Sequence, residues 1–303
     1  MSQNNSLTLS QQKLMTFLAC QRRFYLRYRA RLPWPERPLP AEQETAVSLG
    51  HQFHQLLERH FLGLPVDTTQ LENGRLHQWW SQFQTHPPPL PAGLRLPEVG
   101  LTVPLPSTNQ PAADEPGPLL VGRFDLVVLG QTEAGEPAIH MYDWKTGRPQ
   151  SVADLRHSWQ TRLYLALAAE GGGALFHRQN LDMGSRALSP AAIRLTYWYV
   201  HAPDEPRTIG YSQAEHEQTW AELTAVSAQI EAGIVAETAV SVTPTDLPAT
   251  LWPKTDEWAT CTFCAYQAYC GRHKPATDAP LPTPEEDDDP TETAVWATDP
   301  HPV

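Results

Sequence analysis

The stretch LLVGRFDLVVLG (119–130) sets one carboxylate, Asp125, in the middle of an otherwise apolar run. A second run, IHMYDWKTG (139–147), ends on Asp143, Trp144 and Lys145. Their content of Val, Leu, Ile and Tyr predicts strands over Leu120–Leu129 and Ala138–Trp144. Side chains alternate along a strand, so Asp143 and Lys145 share one face and Trp144 points the other way. Taken alone, D-x-K is also an ordinary surface ion pair at a strand end. Asp125 shifts the weight, because a carboxylate inside an apolar strand is costly to bury without a partner or a metal. Two acids on adjacent strands can hold one divalent cation with a lysine beside it. Phosphodiester hydrolysis needs that equipment: a metal to polarise the phosphoryl oxygen and acidify a water, and a cation for the extra negative charge of the transition state.

Outward from these strands, the period of the apolar residues changes. Ser10 is placed as the N-cap of a first helix in which Leu14, Phe17, Leu18, Tyr25 and Tyr28 recur at helical spacing, ended by Pro33 and Pro35. A second helix is expected over Glu42–Phe61 and a third amphipathic piece around Leu76–Phe83. Pro97–Leu105 reads as another strand. A helix is expected from Ala153 to Glu170, stopped by Gly171, Gly172 and Gly173, then a strand over Ala192–His201 and a helix over Tyr211–Ile234. The core order is helix, three strands, helix, strand, an α/β arrangement.

In that order, G-x-x-D followed by D-x-K-T-G resembles the PD-(D/E)XK nuclease superfamily, in its RecB-like branch. SLGHQFHQLLERH resembles the family's G-x-x-x-H helix through Gly50 and His54, and WQTRLYLAL its Q-x-x-x-Y helix through Gln160 and Tyr164. The resemblance implies a restriction-endonuclease-like core and hydrolysis of DNA phosphodiesters. It implies that His54, Asp125, Asp143 and the Trp144 carbonyl bind Mg²⁺ or Mn²⁺, that Lys145 is the catalytic lysine, and that Gln160 and Tyr164 work beside it. Glu98 stands where the family often places an acid, and is expected behind the metal ligands. Phe124 replaces the family's proline. The rival reading is a non-catalytic DNA-binding or assembly subunit with the same fold.

The four cysteines are Cys20, alone on the first helix, and Cys261, Cys264 and Cys270. Disulfides, a zinc site and an iron–sulfur cluster are all open on spacing alone. The arrangement resembles the iron–sulfur nucleases of the same branch, including exonuclease V-type and CRISPR-adaptation enzymes. That implies a 4Fe–4S cluster pinning the N-terminal segment to the C-terminal one, with zinc as the lesser alternative. Arg22, Arg23 and Arg27 are expected as DNA contacts, among aromatic residues suited to a single strand.

The net charge of −12 argues at first against a nucleic-acid partner. Eight acids and no Lys or Arg lie in 277–303, however, so the body has 22 basic against 26 acidic residues. The expected organisation is one nuclease domain over 1–276 and a disordered acidic tail over 277–303. The polar start carries no secretory pattern and no apolar run is long enough to span a membrane, which points to the cytoplasm. No P-loop occurs, so a motor, if used, comes from a helicase or another recombination or CRISPR subunit.

Overall fold

A computed structural model describes residues 7–33, 41–67, 74–107, 117–181, 188–239, 248, 250–262 and 264–272. The expected tail and Phe263 lie outside the described residues. In chain order the elements are β1 (Thr8–Leu9), α1 (Gln11–Ala19), α2 (Gln21–Phe24) running into a π-helical turn (Tyr25–Arg29), α3 (Ala41–Phe61), α4 (Gly74–Thr85), β2 (Leu94–Pro104), β3 (Leu119–Gln131), β4 (Pro137–Lys145), α5 (Val152–His157), α6 (Trp159–Arg178), β5 (Ile193–Tyr199), β6 (Arg207–Gly210), α7 (Gln213–Thr238) and α8 (Trp258–Cys261). The fold is mixed α/β. The chain divides into two compact units. The first gathers residues 1–43, 104–119 and 223–287; the second holds 44–103 and 120–222.

The second unit is built on a mixed sheet. β3 and β4 form an antiparallel pair, with Leu126 opposite Tyr142. β5 lies parallel to β4, with Asp143 opposite Tyr197 and Lys145 opposite Tyr199. A parallel pair needs a crossover, and α5 and α6 supply it. β6 extends β5 antiparallel, a strand too short and polar to stand out in the sequence. On one face, Leu49, Phe53 and Leu57 of α3 and Trp79, Trp80 and Phe83 of α4 pack against Leu126, Tyr142, Trp144 and Trp198. Phe61 stacks on Trp144 with ring centroids 5.7 Å apart. This apolar layer fixes the outward turn of Trp144 and so sends Asp143 and Lys145 to the opposite face.

The helix expected to stop at Glu170 instead runs on to Arg178, straight through its three glycines. A Cβ at Gly171 would stand 2.8 Å from Val103 Cγ1 and one at Gly172 would run into Ile139, so these two glycines serve close helix–sheet approach rather than termination. Ser158, extended and capping Thr161 N–H, separates α5 from α6. Gly93 is held at φ +154, with the site of a Cβ against the Leu129 carbonyl oxygen. Backbone cannot give way as a side chain does, so Gly93→Ala is expected to cost about 2–4 kcal/mol in urea denaturation, strain and overpacking combined.

The first unit corrects two expectations. The first helix is not continuous: Cys20 takes an extended conformation (φ −164, ψ 111) between α1 and α2. The Arg22 N–H bonds Pro253 O at 3.1 Å rather than continuing the helical ladder. Arg22, expected on DNA, is only 5% exposed. Its guanidinium donates to the carbonyls of Trp252 (2.9 Å), Pro248 (3.1 Å) and Leu251 (3.3 Å), which leaves it structural. Trp252 packs with Phe17, Phe24 and Tyr25. Tyr266 Oη donates to Leu32 O at 2.9 Å, and Arg29 pairs with Glu237 at 3.2 Å. The N- and C-terminal segments are therefore joined by hydrogen bonds and ring packing.

Candidate active site

β3 and β4 bring Asp125 and Asp143 to one place, and α3 and α6 supply their partners. His54 lies between two acceptors: its Nε2 is 2.9 Å from Trp144 O and its Nδ1 3.3 Å from Asp125 Oδ1. Both neighbours accept, so satisfying both needs an N–H on each ring nitrogen. Asp125 Oδ2 accepts the Trp144 N–H at 2.7 Å. Asp143 Oδ1 accepts from Gln160 Nε2 at 3.0 Å, while Gln160 Oε1 accepts from Lys145 Nζ at 3.3 Å. The amide thus holds the acid by one end and the lysine by the other. Lys145 Nζ also pairs with the buried Asp143 Oδ2 at 3.0 Å. Tyr164, one helical turn after Gln160, packs edge-on against Phe124 at 4.9 Å.

Burial pushes the Asp143 carboxyl up to about 6, Lys145 pulling against it and the Asp125 charge adding to it. Burial acts on Asp125 in the same sense, but His54 and the Trp144 N–H outweigh it and hold that carboxyl below its usual value. Lys145 is the reverse case: burial opposes its charge, and Asp143 wins and raises its pKa. Asp143 therefore holds Lys145 as a cation. Burial, then Asp143, raise the Tyr164 phenol.

Glu98 is joined to Arg123 through its Oε2 and the Arg123 Nε. It adopts φ 53, a left-handed conformation that a non-glycine residue holds only under constraint. Burial, then the Asp125 charge, push its carboxyl up to about 7 against the pull of Arg123. A carboxyl raised on folding stabilises the fold below its unfolded pKa and loses that contribution as pH rises through the folded value. Burial pushes His140 down to about 4, which acts oppositely over an overlapping range, and Asp143 acts in the same sense as Glu98, so the wild-type profile mixes all three. A difference isolates Glu98. Glu98→Gln is expected to gain about 1–2 kcal/mol relative to wild type between about pH 4.5 and 7, after discounting for solvent screening, in paired denaturant titrations.

Arg123 and Tyr197 were missed by sequence reading. Lys145 Nζ lies 5.7 Å from the centre of the Tyr197 ring, whose Oη bonds Thr161 Oγ1 at 2.9 Å. The alternation that pairs Asp143 with Lys145 equally pairs Arg123 with Asp125, so Arg123 was findable. Tyr197 became a neighbour only through the parallel register of β4 and β5.

In the first unit, Cys20, Cys261, Cys264 and Cys270 are free thiols lining one cavity, with Arg23, Lys254 and Arg272 also in its wall. Arg272 Nη1 donates to Cys261 Sγ at 3.2 Å. Burial raises the Cys264 and Cys270 thiols. Arg27 lies over the Tyr28 ring at 5.3 Å. Among the described residues, no group of three or more His, Cys, Asp or Glu side chains is drawn together tightly enough to hold a metal ion as it stands. The acids of the second unit are turned to their protein partners instead. No helix among the described residues is long and apolar enough to cross a membrane.

A family model described as the PD-(D/E)XK nuclease superfamily matches residues 8–271. A search of curated proteins found no match.

Proposed function

Because this chain belongs to the PD-(D/E)XK nuclease superfamily, we propose that it is a metal-dependent deoxyribonuclease acting on single-stranded ends, in DNA repair, recombination or CRISPR adaptation. The observation that carries the reading is Gln160 holding Asp143 and Lys145 at once, with Asp125 on the adjacent strand.

The residues fit a hard divalent cation by their donor set: the buried Asp143 carboxylate, a second carboxylate, an imidazole and a backbone carbonyl. Asp125, Asp143, His54 and the Trp144 carbonyl would hold Mg²⁺ or Mn²⁺. The ion, when bound, supplies Lewis-acid polarisation of the phosphoryl oxygen and a more acidic water. Lys145, kept charged by Asp143, stabilises negative charge on the phosphoryl oxygens as the transition state develops. Gln160 fixes that ammonium, and Tyr164 closes the site beside it. Labelled single- and double-stranded DNA incubated with Mg²⁺, Mn²⁺ or EDTA tests the reading. Degradation that needs the metal and prefers single strands is expected. Stable DNA in every lane favours the non-catalytic subunit.

The second part of the proposal assigns a 4Fe–4S cluster to Cys20, Cys261, Cys264 and Cys270. It is supported by the common cavity of all four and by the cationic residues in its wall, which suit an anionic thiolate cluster. Metal binding there requires deprotonating thiols that burial holds protonated, so loading should improve with rising pH.

A further inference from the structure

Arg123 stands two residues before Asp125. Along β3 the positions 121, 123 and 125 are partly open and 120, 122 and 124 are closed. The Nε of Arg123 is taken by Glu98. Its two terminal nitrogens make no hydrogen bond among the described residues, and the side chain is 32% exposed against 16% for Glu98. The anchor is itself constrained by the left-handed backbone at Glu98, and its carboxylate lies in the field of Asp125 and His54. The pair therefore borders the acids.

A DNA phosphate approaching Asp125, Asp143 and Glu98 meets three carboxyl groups. Lys145 is committed to Asp143 and Gln160. A guanidinium anchored through one edge presents the opposite, two-nitrogen edge in a fixed plane, the geometry that binds a phosphate bidentately. We propose that Arg123, anchored by Glu98, grips a phosphate of the cleaved DNA strand through its two terminal nitrogens. This rests on the nuclease reading and adds to it a substrate contact on β3.

The test is equilibrium binding of a labelled single-stranded oligonucleotide across a salt series with Mg²⁺, in an Asp143→Asn background to prevent cleavage. Adding Arg123→Gln is expected to weaken binding about 10- to 100-fold and to reduce the slope of log K against log salt by about 0.7, one phosphate's worth of released counterions. Arg123→Lys keeps the charge and loses the fork, so its slope should match the parent while its affinity falls. Thermal melts check that each variant folds. If Arg123→Gln melts early but binds with the parent's affinity and slope, the pair is a strand-to-strand prop and the proposal is overturned. If Arg123→Gln does not fold, Arg123→Lys decides, and unchanged affinity overturns the proposal. A parent that binds no DNA overturns this inference, and if the wild type also cuts none, the nuclease reading falls with it. A parent that binds, beside a wild type that cuts, leaves only the Arg123 inference at stake.

Discussion

Lys145→Ala is expected to lower kcat on single-stranded DNA by about 10²- to 10³-fold, the usual cost of losing one fixed donor to developing charge. Asp143 and Gln160 hold the ammonium in place, so no neighbouring group moves in to replace it. The same change removes the cation that draws the Asp143 pKa downward, so that carboxyl should climb above about 6. It also removes a positive charge that opposes cation binding, so saturating Mg²⁺ or Mn²⁺ should leave the kcat deficit. Lys145→Arg should not rescue, since a planar fork cannot take the place of a compact ammonium between Asp143 and Gln160. Single-turnover cleavage across a metal titration separates these effects. Wild-type cutting by Lys145→Ala sinks the active-site assignment.

Cys264→Ser is expected to bleach the broad visible band of anaerobically purified, brown protein, which Lys145→Ala should leave intact. A cross-link closing a loop as long as that from Cys20 to Cys261 is worth up to about 5 kcal/mol in the chain-entropy model. Arg22 and Tyr266 already tie those segments. The expected loss is therefore smaller, about 2–3 kcal/mol, or about 5–10 °C in melting temperature. Cleavage by whatever protein remains folded should persist. Absorption spectra, iron and zinc content and melting curves on one preparation check this. Colourless protein with stoichiometric zinc replaces the cluster with a zinc staple.

The placement of Asp143 and Lys145 was legible because β4 obeys strict alternation against an apolar layer: Trp144 can only go to Phe61 and Phe83, and Asp143 and Lys145 follow to the other face. His54, Gln160 and Tyr164 were legible through a motif order that the fold then brings together. The glycines of α6 were misread because sequence records their missing side chains and not the strands pressed against them. Arg22 was misread for a related reason. A helix rich in arginine looks like a phosphate-binding face until one guanidinium is found satisfying three carbonyls of a loop more than two hundred residues away. The two compact units are not legible in the sequence because each is stitched from segments far apart in the chain.

That stitching has a consequence for synthesis. Residues 44–222, with nearly all of the second unit's sheet and the proposed site, leave the ribosome before residue 223 does. The N-terminal helices, meanwhile, must wait for Trp252, against which Phe17, Phe24 and Tyr25 pack. At ordinary elongation rates of about 5–20 residues per second the wait from Tyr25 to Trp252 is roughly 10–45 s. For that interval the nascent chain carries an uncovered aromatic face at its leading end, an exposure that favours chaperone capture.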